Sequence, residues 1–261
     1  MDNHGRYALL QKILFILLLM LIWETVARLG IFNPAIFPSV TSICTTFIEG
    51  IFDGLLIEKT AYSIYLILKG LLISLILAIF LGSLAMMSKL VENLVDVLNS
   101  MLHPLPGIAL LPVAILWFGI GEASILLIIV HAVLWPLVVN LRIGFRSVLP
   151  IYLDVGKNIG LQGFRLLWGV TIPASLPYFL SGVKIAWARA WRSVIAAEMV
   201  FGAASGTAGG LGWHIYMTRY MFDVAGTFAA LLAIIIVGIA VEELVFKNIE
   251  KMTVVKWGMT A

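Results

Sequence analysis

Long apolar runs separated by short polar segments dominate the hydrophobic pattern of this 261-residue chain. A helix that spans a membrane needs about 20 mostly apolar residues, and the bilayer core offers no hydrogen-bond partner to the backbone of an open strand. The runs are therefore predicted to be helices, and six of them are long enough to span a membrane. They are Ile13–Leu29, Ser63–Met87, Val97–Phe118, Ala123–Leu141, Pro177–Phe201 and Ala225–Phe246.

Composition supports the same class of protein. The chain is 62% hydrophobic and 12% charged, whereas soluble domains average about 45–50% apolar and about 25% charged residues. We therefore predict an all-α, polytopic membrane protein that forms a single domain over residues 1–261. Its first run is expected to be a retained anchor over residues 1–30, because Arg6 and Lys12 precede the run but no small-residue cleavage site follows it.

Basic residues predict the orientation of the spans, since Lys and Arg concentrate in cytoplasmic loops. With six spans and a cytoplasmic amino terminus, ten basic residues outside the spans face the cytoplasm and three face outward. Both termini and the polar segment 154–173 are then cytoplasmic. The net charge of +3 follows from this distribution and requires no nucleic-acid partner.

Motifs that would carry covalent chemistry are absent from the sequence. It contains no phosphate-binding G-x-x-x-x-G-K-[ST] loop and no G-x-S-x-G elbow. The four histidines lie far apart, without a carboxylate or cysteine at metal-ligand spacing. We therefore expect no catalytic residue, metal or cofactor, and any ATP that drives this protein must be hydrolysed by another chain.

Charged residues inside the fifth run are candidates for a transport path. Burying an ion in lipid is costly, so Arg189, Arg192 and Glu198 should face protein or water. The basic groups would favour an anion; pairing with neighbouring helices is the alternative explanation. Pro106, in the His-Pro-Leu-Pro sequence of the third run, should kink that helix beside the path, and a kink that serves only packing is the alternative there.

The polar segment 154–173, called the coupling segment below, differs from an ordinary connector. Gly160 and Gly163 divide it, and Phe164, Leu167 and Trp168 recur at i, i+3 and i+4, which is helical spacing. An apolar stripe in water needs a partner that covers it. We therefore predict that this segment docks against another protein.

The coupling segment also carries a family resemblance. Residues 154–156 (Asp-Val-Gly), Gly160 and residues 170–173 (Val-Thr-Ile-Pro) resemble the E-A-A-x-x-x-G-x(9)-I-x-L-P signature of binding-protein-dependent ABC importer permeases. Residues 104–124 and 189–199 are similar to the nitrate, sulfonate and taurine branch of that family. Aspartate, valine and glycine replace the signature glutamate and two alanines, and the glycine is expected to weaken the local helix by about 1 kcal/mol.

The resemblance implies a type I importer permease with about six transmembrane helices, a core over residues 62–246 and a cytoplasmic coupling helix within residues 154–173. It implies a multi-pass protein of the bacterial plasma membrane. Such a protein moves a small anionic solute, for example a sulfonate, taurine or nitrate, inward by alternating access. The expected partners are two ATP-binding subunits, a second permease copy, membrane lipid and an external substrate-binding protein.

Site residues follow from the same resemblance. Those expected at the ATPase interface are Asp154, Gly160, Gln162, Phe164, Leu167 and Trp168. Those expected to contact the binding protein lie in or beside the glycine-rich outer loop 202–212 and are Gly209, Gly210 and Trp213, although a flexible loop without that role is the alternative.

Two other classes of protein would also place ions inside a membrane. A secondary transporter or channel could use Glu198 and the arginines as a proton relay, but six spans without an inverted repeat are few for that class. A membrane enzyme could use Glu198 as an acid or base, but the sequence offers it no partner residue.

Overall fold

The computed structural model describes residues 3–201 and 209–256, and the regular structure in these ranges is helical. The helices are α1 (Asn3–Arg28), α2 (Val40–Phe52), α3 (Leu55–Met87), α4 (Lys89–Leu102), α5 (Gly107–Phe118), α6 (Glu122–Ser147), α7 (Pro150–Asn158), α8 (Gly163–Ala174), α9 (Leu176–Phe201), α10 (Leu211–Tyr220) and α11 (Val224–Val255). The all-α prediction is confirmed. Helix α8 contains one wide π-type turn, at Leu167–Thr171, and α11 contains two.

Four helices of the described residues are long and apolar enough to cross a membrane: α3, α6, α11 and the Leu10–Arg28 part of α1. Two bent pairs bring the number to six if each pair counts as one span. Helices α4 and α5 meet at 92°, and α8 and α9 meet at 70°. About six spans were predicted, but the third is not a kinked single helix, because the prolines between α4 and α5 turn the chain by a right angle.

Helix α6 lies at the centre of the bundle, and small residues bring α3 and α9 close to it. A Cβ atom built on Gly182 of α9 would meet Cβ of Asn140 at 2.8 Å, and one on Gly144 of α6 would meet Cβ of Tyr178 at 3.0 Å. Gly70 of α3 lies against Ile129 in the same way. Lipid tails are as apolar as leucine, so close backbone approach of this kind is a main source of helix association in membranes.

In the part of helix α1 whose side chains are described, the contacts with the bundle lie near its carboxyl end. The spanning window of α1 is 0% buried against the rest of the described chain. Its Trp23 indole donates to the carbonyl of Pro38 at 2.9 Å and stacks on Phe37 with ring centroids 5.0 Å apart. Thr41 donates its hydroxyl to Glu24 at 2.6 Å. The observed helix is Asn3–Arg28, and a retained anchor over residues 1–30 stays a prediction.

Candidate functional site

The coupling segment folds into two short helices joined by a tight reversal. Helix α7 ends at Asn158, and Gly160 follows with a φ of +86°. The N–H of Leu161 donates to the carbonyl of Gly156 and that of Gly160 to Lys157, both at 2.9 Å. These two bonds form a Schellman motif, which favours glycine at the left-handed position. The reversal at Gly160 is what divides the coupling segment into two helices at this residue.

Gly156 has a packing reason that the sequence did not reveal. A Cβ atom at this position would lie 2.6 Å from Cδ1 of Leu166 and 3.0 Å from Cγ2 of Val170. Its absence lets α8 lie close against α7. The glycine that replaces a signature alanine thus does more than weaken a helix: it sets the distance between the two halves of the coupling segment.

The tip of the coupling segment presents aromatic side chains. Phe164 is 71% exposed and Trp168 is 53% exposed, and their ring centroids lie 5.8 Å apart. Leu167, the third residue of the predicted stripe, is only half-exposed. Asp154 is exposed and lies 3.8 Å from Lys157 on the surface of α7, while Gln162 precedes the first turn of α8. The apolar surface of this segment that is available to a partner therefore consists of the Phe164–Trp168 pair on α8 together with Val155 and Ile159, which are 54% and 72% exposed.

A second feature is a cavity of about 600 Å³ at the break between α4 and α5, called the basic cavity below. Its walls come from the break itself, from α6 and from α9. The lining residues are His103, Pro104, Leu105, Pro106, Gly107, His131, Ala132, Trp135, Arg189, Arg192 and Ser193. Three residues predicted for a transport path, Pro106, Arg189 and Arg192, are brought together here, and none of the described residues that line the cavity is acidic.

Hydrogen-bond donors outnumber acceptors among the side chains of the basic cavity. A guanidinium group of Arg189 donates to Nε2 of His103 at 3.1 Å, and Nε of Arg192 donates to the carbonyl of Ala188 at 3.1 Å. Nε2 of His131 donates to the carbonyl of Leu105 at 3.1 Å and so holds the break in place. The indole N–H of Trp135, a residue that is 6% exposed, has no hydrogen-bond partner among the described residues.

Glu198, predicted for the same path, lies elsewhere and is 1% exposed. Its carboxylate accepts from the hydroxyl of Ser63 at 2.8 Å and from the N–H of Gly212 at 2.9 Å. The hydroxyl of Ser63 in turn accepts from the N–H of Leu211 at 3.0 Å. This group of bonds, called the Glu198 node below, fastens the start of α10 to α3 and α9. Glu198 is therefore bonded to Ser63 and Gly212, and among the described residues no hydrogen bond or ion pair joins it to Arg189 or Arg192.

The glycines near the end of the predicted outer loop are packed rather than free. Residues 202–208 of that loop lie outside the described residues. Gly209 and Gly210 are buried, and a Cβ atom on Gly210 would overlap the side chains of Glu198 and Ser63. Trp213 is half-buried and stacks on Tyr216 with ring centroids 5.4 Å apart. Of the three residues predicted for the outer contact, the two glycines are buried and Trp213 is partly accessible.

The sequence analysis did not identify several residues of the basic cavity and of the Glu198 node. His131 and Trp135 lie four residues apart on α6, the spacing that places both on one face of a helix, and this pairing is the signal that could have identified them. Ser63 carried no signal, because its partner Glu198 is 135 residues away in the sequence.

Comparison with known protein families adds a direct finding. A family model described as the binding-protein-dependent transport system inner membrane component matches residues 70–253. The match includes the coupling segment and every residue of the basic cavity. It covers more than half of the chain.

Individual relatives are similar over most of their length. The chain is 33% identical to a putative ABC transporter permease of Methanocaldococcus jannaschii, over 88% of this chain and 85% of the relative. It is 32% identical to the formylaminopyrimidine transport permease ThiX of Halalkalibacterium halodurans, over 89% of this chain and 90% of the relative. It is 28% identical to a putative aliphatic sulfonates transport permease, SsuC, of Bacillus subtilis, over 97% and 89%.

Proposed function

The chain belongs to the family of binding-protein-dependent transport system inner membrane components, and on this basis we propose which of its surfaces contact the ATP-binding subunits, the solute and the substrate-binding protein. It is a permease subunit of an ABC transporter, with membrane-spanning helices and no enzymatic activity of its own. ATP hydrolysis belongs to separate ATP-binding subunits, and the family works with a substrate-binding protein. The signature resemblance is thus confirmed, and an ion-gradient transporter is not favoured.

The first part of the proposal concerns the coupling segment. We propose that Phe164 and Trp168 insert into a groove of an ATP-binding subunit, because exposed aromatic pairs at the end of a membrane bundle need a partner that excludes water. The Schellman turn at Gly160 fixes the angle at which they are presented. Gln162 and Leu167 border the pair, and Asp154 takes the place of the signature glutamate on α7. The excess of basic residues supports a cytoplasmic position for this segment and for both termini.

The second part concerns how docking moves the pore. Helix α8 leads into α9 with a single residue, Ser175, between them, and α9 carries Arg189 and Arg192 into the basic cavity. A movement of the docked segment would therefore shift the arginines relative to α6. We propose that two copies of the permease, each with one ATP-binding subunit, use this connection for alternating access. Rigid-body rotation of packed elements is an established way to switch between two states.

The third part concerns the solute and the outer face. The named relatives carry different solutes, an aliphatic sulfonate and a formylaminopyrimidine, so similarity alone does not choose between them. We propose a small anionic solute, such as a sulfonate, taurine or nitrate, because Pro106, Arg189 and Arg192 line one basic cavity without an acid. On the outer side, Trp213 beside the buried glycines is the proposed contact for the binding protein.

The exposed Phe164–Trp168 pair is the observation that carries the docking proposal, and replacing both by alanine tests it. The transporter would be purified with its ATP-binding subunits, and subunit retention and ATP-driven uptake would be measured. We expect the double variant to lose the ATP-binding subunits, with the melting temperature of the permease unchanged. Phe52→Ala is the matched control, because Phe52 is 86% exposed on α2 and outside the coupling segment. Normal subunit retention and uptake in the double variant would contradict the proposal.

A further inference from the structure

We propose that Lys184 belongs to the transport path and that its ion pair with Glu242 is the inner gate of this path. A solute leaving the basic cavity would pass Lys184, and its anionic head would replace the carboxylate of Glu242 as the partner of the ammonium group. The inference rests on the proposed function and deepens it, because it names the charged pair that separates the basic cavity from the cytoplasm.

The depth and the exposure of the ion pair are the first support. Lys184 of α9 and Glu242 of α11 form a salt bridge, and their side chains are 45% and 46% exposed. At 1.5 Å per residue, Lys184 lies about 12 Å along α9 from its first residue and Glu242 about 27 Å along α11, within the length that a bilayer core of roughly 30 Å covers. Ionised side chains at such a depth face protein or water. The exposed side of the pair is therefore expected to face a water-filled path and not lipid.

The Glu198 node provides a contrast within the same fold. Glu198 is 1% exposed and its carboxylate accepts hydrogen bonds from Ser63 and Gly212, as expected of an intramembrane acid with a structural role. The carboxylate of Glu242 is instead accessible beside its partner. A solute can therefore reach this ion pair without disrupting the packing of the bundle.

One exposed face of α9 leads from the basic cavity to the ion pair. The residues of this face recur every three or four positions, which places them on one side of the helix. They are Tyr178, Ser181, Ile185, Ala188 and Arg192. Arg192 lines the basic cavity, and Lys184 borders the same face about 12 Å along the helix axis towards the coupling segment. An anion that leaves the arginine thus meets the lysine next.

Open space continues from the ion pair to the coupling segment. A cavity of about 210 Å³ is lined in part by Lys184, and a larger cavity of about 960 Å³ is lined in part by Tyr152 and Val155 of α7. The two cavities are adjacent, because they share the lining residues Pro177, Ser181, Glu250 and Val254. The carboxylate of Glu250 disfavours retention of an anion there and so favours its release. A solute that passes Lys184 therefore reaches the surface beside the coupling segment.

The local structure of α11 allows the ion pair to open. Glu242 lies in the wide π-type turn Val241–Phe246, and turns of this kind are frequent at functional sites. Phe246 of the same turn packs edge-on against Trp187 of α9, with ring centroids 6.5 Å apart. This aromatic contact can keep α11 against α9 while the ion pair is broken. Because α8 leads into α9, a movement of the docked coupling segment would shift Lys184 relative to Glu242.

Cysteine labelling from the cytoplasmic side tests the gate. Everted membrane vesicles would contain the intact transporter, with Cys44→Ser in every variant to remove the chain's own cysteine. The probe is 2-sulfonatoethyl methanethiosulfonate, an anionic reagent that does not cross membranes, and mass spectrometry of the permease would measure its reaction. Ser181→Cys lies on the near side of the ion pair and Ala188→Cys on the far side. We expect Ser181→Cys to react at least about tenfold faster than Ala188→Cys, because the closed pair excludes the reagent.

Ile76→Cys is the matched control for Ala188→Cys. Ile76 is 60% exposed on an apolar face of α3. Gly82 of α3 and Gly182 of α9 pack against neighbouring residues of α6, and Ile76 and Ala188 each lie six residues from these glycines towards the outer end. The two cysteines are therefore at about the same depth, and Ile76→Cys should react slowly in every background.

Opening the gate by mutation is the decisive comparison. Glu242→Gln removes the charge that holds Lys184, and we expect it to speed the labelling of Ala188→Cys at least about fivefold while the rate at Ser181→Cys stays the same. The exchange of both charges, Lys184→Glu with Glu242→Lys, should restore slow labelling. Lys184→Gln should also open the gate, and it should reduce the ratio of labelling by the anionic reagent to labelling by its cationic trimethylammonium analogue. A pair with only a structural role would leave that ratio unchanged.

The outcomes that would overturn the inference are distinct from those that bear on docking. Labelling of Ser181→Cys no faster than that of Ile76→Cys would mean that the face of α9 is dry, and this comparison needs no change in the ion pair. An unchanged rate at Ala188→Cys in folded Glu242→Gln would mean that the pair is not a barrier. Either result would leave the docking proposal standing, because retention of the ATP-binding subunits is measured separately. Conversely, failure of the docking proposal would not alter these labelling rates, which require no ATP.

Discussion

The Glu198 node offers the sharpest test of how this bundle is held together. Replacing Glu198 by alanine removes the acceptor for two buried donors, the hydroxyl of Ser63 and the N–H of Gly212. A buried donor left unpaired costs about 1–3 kcal/mol, so two of them set an upper limit of roughly 6 kcal/mol on the loss of unfolding free energy. Hydrogen bonds between membrane helices average only about 0.6 kcal/mol in double-mutant cycles, so two of them set a lower limit of roughly 1 kcal/mol on the same loss.

We expect Glu198→Ala to lower the free energy of unfolding by about 2–4 kcal/mol, because the Glu198 node is almost fully buried and its acceptor is a carboxylate. For a chain of this size, about 1 kcal/mol shifts the melting temperature by roughly 2–4 °C. The melting temperature of purified Glu198→Ala permease in detergent should therefore fall by at least about 4 °C. The melting temperature of Glu198→Gln should fall by less, since the amide oxygen can still accept one of the two hydrogen bonds.

Two further measurements make the test specific. Glu243→Ala removes an exposed carboxylate paired with Lys247, and exposed ion pairs contribute little to stability, so the melting temperature of this variant should change little. Ser63→Ala combined with Glu198→Ala should cost less than the sum of the single changes, since the two side chains share a bond. A melting temperature of Glu198→Ala equal to that of Glu243→Ala, or full additivity with Ser63→Ala, would refute the reasoning.

Three other substitutions follow from backbone geometry and packing. Gly160→Ala should destabilise the coupling segment by about 1 kcal/mol, because a Cβ atom is unfavourable at a φ of +86°, and ATP hydrolysis stimulated by solute should fall in the assembled transporter. Gly182→Val should cost about 1–3 kcal/mol by forcing α9 away from Asn140 on α6, which thermal unfolding would detect. Phe222→Gly should leave the melting temperature unchanged or raise it by a few degrees, since the exposed Phe222 has a φ of +61°, and a clear decrease would contradict this.

The coupling segment was predictable because its features are local. Helical spacing of Phe164 and Trp168 and the turn at Gly160 depend on residues a few positions apart, and the structure has both. The role of Gly156 was not predictable, because it depends on Leu166 and Val170 reaching back across the turn. Helix propensity predicts only that Gly156 weakens α7. The structure adds that the close packing of α8 leaves no room for a side chain at this position.

The basic cavity was predictable only in part. The cost of burying charge predicts that Arg189 and Arg192 face protein or water, and in the structure both line one cavity with Pro106. The same rule predicted only that Glu198 faces protein or water, and the structure gives it Ser63 and Gly212 as partners. A cost of burial says that an ion needs a partner, but it does not say which helix provides one.

Hydropathy by itself determined that this chain is a helical membrane protein with about six spans, because lipid forces the backbone to satisfy its hydrogen bonds within each apolar run. The signature determined its family. Tertiary structure alone decided that the glycines near residue 210 are packed against Ser63 and Glu198 and that Trp135 and Arg189 line one cavity. These features depend on contacts between helices that are distant in sequence, and the hydrophobic pattern of one helix contains no information about which neighbour it will meet.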